Sequence, residues 1–218
     1  MNKPISILLV DDHTLMRRML GDRLASEPDM QVVATADNAD TAVAEAIRHR
    51  PDIVLMDIDM TGLSCFQVAR TMHRQYPETC IIYLSAFFND CYIEQALAVG
   101  AAGYLTKSEP PEAVMSAIRA VAAGGSYFSP EVQSRIVVDS HGTRLMEPNR
   151  SRASTLSNRE LEVLRYLANG MSKKEVAQTM HISVKTVERH CCNLMEKLDI
   201  HDRVELTRFA IREGFAQA

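Results

Sequence analysis

The sequence predicts two different folds in one chain of 218 residues: an α/β domain with a doubly wound parallel sheet, then a small all-helical domain. In residues 1–125, short apolar runs alternate five times with stretches of helical periodicity, as in βαβ units. From residue 154 onward only helical periodicity is found. We therefore expect one domain over 1–125, a second over 154–218, and a linker over 126–153.

Five predicted strands and five predicted helices alternate in the first domain. The strands are ISILLV, MQVVATA, DIVLM, CIIYLSA and AGYLT, and the helices are TLMRRMLGDRLAS, ADTAVAEAIRHR, CFQVARTMHRQY, DCYIEQALAVG and PEAVMSAIRAVAAG. Right-handed crossovers place helices on both faces of such a sheet, and ligands bind beyond the carboxyl ends of its strands. The residues that follow each strand are therefore the candidates for a functional site.

The segment 126–153 differs in composition from both predicted domains. Its first half allows a short helix, EVQSRIVV, after Ser129 and Pro130. Its second half, SHGTRLMEPNRSRAS, is polar and has no periodicity. These features predict an interdomain linker.

The second domain is predicted to contain four helices joined by tight turns. Ser157 with Glu160, and Ser172 with Glu175, have the spacing of capping boxes, and Ser183 is a favourable N-cap. The two helices in SKKEVAQTMHISVKTVERHCCNLMEKL are spaced as in a helix-turn-helix.

Composition argues against a membrane or secreted protein. No apolar run approaches the roughly 20 residues of a membrane helix, and ILLV is too short for a signal peptide. The five cysteines are odd in number and form no C-x-x-C pair, which favours a reducing compartment over a disulfide framework. We expect a cytoplasmic protein without a membrane partner.

Polar residues end four of the five predicted strands. They are Asp11 and Asp12 after the first strand, Asp57 after the third, Ser85 after the fourth and Lys107 after the fifth. Carboxylates that converge on one edge of a sheet repel one another unless a cation binds, and their hard oxygen atoms suit Mg²⁺. With a lysine and a hydroxyl nearby, these are the groups needed to accept a phosphoryl group.

Two chemistries fit the stretch VLMDIDMTG, which contains Asp57 and Asp59. DIDMT resembles the D-x-D-x-T motif of the haloacid-dehalogenase-type phosphatases, which phosphorylate an aspartate with Mg²⁺. In that family, however, the acidic pair lies downstream of the nucleophile. Here the pair is upstream, at Asp11 and Asp12, and no acidic pair at a strand end follows Lys107.

LLVDDH, LMDIDMTG, YLSA and GYLTK resemble the receiver domain of two-component response regulators over residues 5 to about 123. The resemblance implies a flavodoxin-like fold. It also implies Asp57 as phosphoacceptor, and Mg²⁺ held by Asp11, Asp12, Asp57 and the backbone carbonyl of Asp59, whose side chain we expect to be solvated. It makes Ser85 the switch hydroxyl, Lys107 the counter-ion of the phosphoryl group and Tyr104 the aromatic residue that follows Ser85 inward. One position departs from the pattern, because receivers commonly have proline where Thr61 stands.

Helical periodicity divides the third helix of the second domain into two faces. Val187, Cys191, Leu194 and Leu198 cluster on one side and should pack on the rest of the domain. Lys185, Arg189, Cys192, Asn193 and Glu196 point away from that side. Such a face suits the DNA major groove, with Arg189 placed to contact guanine and with Lys173 and Lys174 near phosphates. An ordinary solvated face fits the periodicity equally well, since the domain is close to neutral.

The segment LSNRELEVLRYLANGMSKKEVAQTMHISVKTVERHCCNLMEKL resembles the LuxR-type helix-turn-helix of the NarL/FixJ class of response regulators. The resemblance covers residues 155 to about 215 and implies DNA binding through 184–198. The predicted DNA-contacting residues are Lys173, Lys174, Lys185, Thr186, Glu188, Arg189, Cys192 and Asn193. Glu188 departs from the family pattern, which is often basic at this position, so the preferred DNA sequence stays open.

The two domains together predict a transcriptional regulator. A sensor histidine kinase would phosphorylate Asp57 with Mg²⁺, and the receiver would then promote DNA binding, with dimerisation expected because one short helix makes few contacts. Such a protein is a phosphoacceptor and catalyses only its own phosphorylation and dephosphorylation. The alternative is a phosphorylation-independent DNA-binding protein whose receiver serves as a dimerisation module.

Overall fold

The computed structural model describes residues 3–60, 65–86, 89–139, 142–146 and 152–216. The chain folds into two compact units, the first comprising residues 1–88 and 92–146 and the second residues 89–91 and 147–218. No helix in the described part of the chain is long and apolar enough to cross a membrane. Thr61, where the sequence departs from the receiver pattern, lies outside the described residues.

The first unit is built on a parallel sheet in the order β2-β1-β3-β4-β5-β6. Its strands are β1 (Ile5–Val10), β2 (Met30–Ala36), β3 (Ile53–Asp57), β4 (Cys80–Ser85), β5 (Gly103–Thr106) and β6 (Tyr127–Phe128). The helices are α1 (Thr14–Ala25), α2 (Ala39–His49), α3 (Cys65–Gln75), α4 (Asp90–Ala98) and α5 (Pro111–Ala122). Of α4, the residues from Tyr92 onward belong to this unit. The predicted α/β fold with a parallel sheet is confirmed. A sixth strand, of two residues, adds to the five predicted.

The central strands are buried on both faces. All five residues of β3 are buried, and Ile7 and Leu9 of β1 pack with Leu55 and Ile82 in one cluster, which Ile118 of α5 helps to cover. Strands covered by helices on both sides are continuously apolar, as the sequence runs predicted. The register aligns Val10 with Met56, Asp57 with Leu84 and Ser85 with Thr106, so the polar residues at the strand ends meet at one edge.

The segment predicted to be a linker contains regular structure at its start. After β6 comes the four-residue helix α6 (Pro130–Gln133). Strands β7 (Ile136–Asp139) and β8 (Gly142–Leu145) then form an antiparallel hairpin, and a 3-10 turn covers Arg152–Thr155. The predicted short helix therefore ends before the β-branched run Ile136–Val138, whose residue types favour a strand.

The second unit contains α7 (Asn158–Ala168), α8 (Lys173–Thr179), α9 (Val184–Leu198) and α10 (Arg203–Arg212). Both predicted capping boxes form: Ser157 caps α7 with Glu160, and Ser172 caps α8 with Glu175. Ser183 caps α9, as expected, by accepting a hydrogen bond from the Thr186 N–H.

The predicted core side of α9 is confirmed. Val187, Cys191, Leu194 and Leu198 are all buried. Lys197 extends from α9 to α7, where its Nζ lies 2.7 Å from the buried carboxylate of Glu160. These contacts fix the outward face of α9 relative to the rest of the unit.

Candidate functional site

Three aspartates and a histidine meet at the carboxyl edge of the sheet. Asp11, Asp12, His13 and Asp57 each offer one ligand atom, and these atoms lie within 4.8 Å of one another. Asp57 is fully buried and Asp11 is 1% exposed, because both sit at the ends of central strands. Carboxylates this close to one another form a donor set suited to a divalent cation.

Lys107 supplies the positive charge next to the buried aspartates. Its Nζ lies 2.9 Å from Asp57 Oδ2 and 3.0 Å from Asp11 Oδ2. Burial raises the pKa of Asp57 to about 6, with Lys107 opposing the rise and the negative charges of Asp59 and Asp11 adding to it. Burial alone would lower the pKa of Lys107, but the carboxylates of Asp57 and Asp11 outweigh it and raise the pKa.

Asp59 orients Asp57 and also contacts the loop after β4. The backbone N–H of Asp59 donates to Asp57 Oδ1 over 3.0 Å, and Asp59 Oδ2 accepts a hydrogen bond from the Ala86 N–H over 2.9 Å. Asp59 is half-buried. The expectation of a solvated side chain was therefore wrong, because the β4 loop lies close enough to provide a donor. The expected role of the Asp59 carbonyl as a metal ligand stays a prediction.

Ser85 and Tyr104 lie on neighbouring strands beside this cluster. Both are fully buried, and their hydroxyl groups share a hydrogen bond. Burial raises the pKa of Tyr104 far above its usual value, so the phenol stays neutral. The pair predicted from the sequence as switch residues is thus in direct contact.

Sequence reasoning missed His13 and Arg17. His13 Nδ1 lies 3.0 Å from Asp12 Oδ1 and 3.3 Å from Asp11 Oδ1. Arg17, one turn into α1, donates to the backbone carbonyl of Asp11. The position of His13, directly after the acidic pair at a strand end, was a usable signal, whereas the contact of Arg17 depends on the direction in which α1 leaves the sheet.

A second candidate site is the outward face of α9 in the helical unit. Seven of the eight predicted DNA-contacting residues are exposed: Lys173, Lys174, Lys185, Glu188, Arg189, Cys192 and Asn193. Thr186 is half-buried, and its Oγ1 lies 2.8 Å from Ser183 Oγ, so the cap occupies part of its hydrogen-bonding capacity. The exposed set contains four cations. Lys185 and Arg189 lie on α9, whose opposite side is packed, and Lys173 and Lys174 lie at the start of α8.

Comparison with known proteins assigns both units. Residues 7–119 match the family described as response regulator receiver domain, and residues 154–210 match bacterial regulatory proteins, luxR family. The chain is 30% identical to the transcriptional regulatory protein DegU of Brevibacillus brevis over an alignment of 227 positions, which covers 98% of this chain and 95% of that protein. It is 32% identical over 212 residues to the oxygen regulatory protein NreC of Staphylococcus carnosus, covering 96% and 98%.

The chain belongs to the response regulators with a LuxR-type DNA-binding domain. As a response regulator it is a DNA-binding transcriptional regulator and not a metabolic enzyme. The phosphatase alternative is thereby excluded, in agreement with the position of Asp11 and Asp12 upstream of Asp57.

A solved structure of the RcsB response regulator of Salmonella typhimurium shares the fold of this response regulator. The TM-score is 0.74 at 19% identity, and the alignment covers 98% of this chain and 100% of that one. At this level of identity the likeness concerns the fold alone.

Proposed function

We propose that this response regulator accepts a phosphoryl group on Asp57 from the phosphohistidine of a sensor histidine kinase, and that phosphorylation promotes DNA binding as a homodimer. The observation that carries the proposal is the environment of the fully buried Asp57 carboxylate. Lys107 contacts one of its oxygens, and the Asp59 N–H orients the other. A carboxylate held in this way is aligned as a nucleophile.

The transfer is a displacement at phosphorus. An oxygen of ionised Asp57 forms the new P–O bond, the P–N bond to the kinase histidine breaks, and its electron pair leaves with the imidazole. Lys107 offsets negative charge on the phosphoryl oxygens. With a pKa of about 6, Asp57 is largely ionised at neutral pH.

The donor set fits Mg²⁺, which would be held by Asp11, Asp12 and Asp57, with the Asp59 carbonyl as a further oxygen ligand. The fit rests on carboxylate oxygens that lie within 4.8 Å of one another at a buried strand edge. When bound, the ion would neutralise developing charge on the transferred group. Asp11 and Asp12 orient their carboxylates for this purpose from the end of β1.

Ser85 and Tyr104 are proposed to report the phosphoryl group to the receiver surface. The Ser85 hydroxyl would donate a hydrogen bond to a phosphoryl oxygen. This new hydrogen bond would change the existing one between the Ser85 hydroxyl and the Tyr104 phenol. The loop after β4 is linked to the same event, because the Ala86 N–H binds Asp59. A phosphoryl group that competes for these donors would shift the balance between two arrangements of the loop.

The exposed apolar face of α1 is proposed to bind the kinase. Leu15 and Met19 are 72% and 63% exposed, and α1 begins two residues after Asp12. Met19 also lines a cavity of about 460 Å³ whose wall includes Lys107. A partner that brings a phosphohistidine to Asp57 must approach this same edge of the sheet, so its apolar residues would cover the α1 face.

Acetyl phosphate tests the phosphoacceptor without a kinase. We expect Mg²⁺-dependent labelling of the wild-type protein and none of Asp57→Asn, measured on Phos-tag gels and by mass spectrometry. Label on Asp57→Asn would show that another residue is the acceptor.

The Leu15→Asp, Met19→Asp double variant tests the kinase-binding face of α1. It should retain labelling by acetyl phosphate but lose transfer from a histidine kinase that phosphorylates the wild type. Ile47→Asp on α2, also exposed, is the matched control.

DNA binding is tested on sequences that the wild-type protein selects from a random pool. Arg189→Ala should lose specific binding, while Arg208→Ala on α10 should retain it. Tighter binding and a dimer on DNA after treatment with acetyl phosphate are the expected results. Identical binding with and without phosphorylation would instead favour the phosphorylation-independent regulator.

A further inference from the structure

His13 places an imidazole nitrogen beside the carboxylates of the proposed metal site. Its Nδ1 lies 3.0 Å from Asp12 Oδ1, 3.3 Å from Asp11 Oδ1 and 3.9 Å from Asp57 Oδ2. One imidazole nitrogen therefore faces all three carboxylates. The imidazole is 67% exposed, so an ion exchanging with solvent would reach this nitrogen before the buried Asp57.

These separations are the edge lengths of a coordination polyhedron. For ligand atoms at about 2.1 Å from an ion, neighbouring ligands are about 3.0 Å apart in an octahedron and about 3.4 Å apart in a tetrahedron. Opposite ligands in an octahedron are about 4.2 Å apart. The distances of 3.0, 3.3 and 3.9 Å from Nδ1 fall within this range, and all the ligand atoms lie within 4.8 Å of one another, so side-chain adjustments of roughly half an ångström would let a single ion contact Nδ1 and the carboxylates.

The side chain of His13 does not cap α1, although the residue stands at the N-cap position. His13 is the N-cap residue of α1, yet its side chain makes no capping hydrogen bond. Its own N–H donates to Asp11 Oδ1 over 2.8 Å, which fixes the turn between β1 and α1. Ser, Thr, Asn or Asp would cap the helix better. The imidazole is thus directed toward the carboxylates and not toward the first turn of α1.

We propose that His13 is a direct metal ligand of the receiver, and that it raises the affinity of the site for borderline divalent ions such as Ni²⁺ and Zn²⁺, while the carboxylates still bind Mg²⁺. The proposal rests on the metal site of the proposed function. Mg²⁺ favours oxygen donors, whereas imidazole nitrogen is a preferred ligand of Ni²⁺ and Zn²⁺. The availability of these ions would then influence how readily Asp57 is phosphorylated.

Electron spin echo spectroscopy of bound Mn²⁺ in the full-length, tag-free protein tests this directly. A coordinated imidazole produces nitrogen-14 modulation, and we expect that signal in the wild type. We expect it to be absent in His13→Gln, which keeps a polar side chain but removes the imidazole. His49→Gln, on the surface of α2 beside Glu45, is the matched control and should retain the signal.

Calorimetric titration provides the second measurement. Affinity for Ni²⁺ at the site should fall about tenfold or more in His13→Gln, while affinity for Mg²⁺ should change by less than about twofold. Circular dichroism checks that the variant is folded. Bound Mn²⁺ without nitrogen modulation in the wild type, or with the same modulation in His13→Gln, would overturn the role of His13. Equal losses for Ni²⁺ and Mg²⁺ would overturn the proposed preference.

Asp12→Asn separates this proposal from the metal site itself. If Mn²⁺ binds the wild type and is lost in Asp12→Asn, the carboxylate site stands whatever the nitrogen signal shows. If Mn²⁺ does not bind the wild type, both the metal site and the role of His13 are overturned.

Discussion

Replacement of Asp57 by asparagine should stabilise the receiver in the absence of metal. Asp57 is fully buried, and its ionised form is disfavoured by that burial and by the charges of Asp59 and Asp11. Asparagine has nearly the same shape and carries no charge. The variant therefore removes an electrostatic cost while keeping the packing at the end of β3, and it can still accept the hydrogen bond from the Asp59 N–H.

The magnitude follows from the pKa of Asp57, which is about 6 in the folded protein against an ordinary 3.8. A shift of about two pH units corresponds to about 3 kcal/mol at neutral pH. Because the folded state keeps the Asp57 proton up to about pH 6 and the unfolded state only up to about pH 4, the contribution of Asp57 to stability becomes unfavourable as the pH rises through that window. Below pH 4 the difference between wild type and Asp57→Asn should shrink to less than about 1 kcal/mol.

Urea unfolding in EDTA at pH 7.5 and at pH 4 measures the effect. Five of the six tyrosines lie in residues 1–146, so near-ultraviolet circular dichroism reports mainly the first unit. Asp22→Asn, at an exposed position on α1, removes the same charge and should change stability by no more than about 0.5 kcal/mol at either pH.

Two results would refute this reasoning. One is an Asp57→Asn protein no more stable than the wild type at pH 7.5, which would mean that ionised Asp57 is already compensated by Lys107. The other is a stabilisation of equal size at both pH values, which would assign the effect to packing. Adding Mg²⁺ should narrow the difference at pH 7.5 by stabilising the wild type more than the variant.

Two further pairs of variants test contacts in each unit. Tyr83 is fully buried and its hydroxyl has no hydrogen-bond partner among the described residues, so Tyr83→Phe should stabilise the receiver by about 1 kcal/mol in thermal or urea unfolding. Tyr104→Phe removes a bonded hydroxyl and should destabilise it by a similar amount; equal effects would contradict the reasoning. Glu160→Gln should destabilise the helical unit by about 1 kcal/mol more than Glu175→Gln, because glutamine can cap both helices but cannot retain the charge that faces Lys197. Equal losses of stability would mean that Lys197 contributes only as a solvated surface charge.

The residues at the strand ends could be predicted because periodicity alone fixes where each strand stops. Once the strands are parallel, Asp11, Asp57 and Lys107 must lie on one edge, and the structure brings Lys107 Nζ to within 3.0 Å of both carboxylates. The capping boxes could also be predicted, because each depends only on two residues that are three positions apart in the sequence. The buried side of α9 followed from helical periodicity over fifteen residues, which is long enough to define a face.

The features that were not predicted from the sequence are short or depend on contacts between residues far apart in the chain. Strand β6 has two residues and exists because Gly103 and Tyr104 of β5 offer it a free edge. The run Ile136–Val138 begins three residues after α6 ends at Gln133. Because the two segments are so close, the apolar residues of EVQSRIVV were assigned to one helix. In the structure they belong to β7, which pairs with β8. The bond between Asp59 and the Ala86 N–H joins residues 27 positions apart and depends on how the loop after β4 folds.

The charge balance of the acidic site indicates the order of events proposed for phosphorylation. Asp11, Asp12, Asp57 and the adjacent Asp59 contribute four negative charges when ionised, and Lys107 contributes one positive charge, which leaves the site at −3. A divalent cation would reduce this charge to −1, so a phosphoryl donor, itself negatively charged, would meet much weaker repulsion once the cation is bound. The burial that raises the pKa of Asp57 also strengthens its attraction for a cation, since water screens little there. We therefore expect the residues of this site to bind metal first and the phosphoryl donor second.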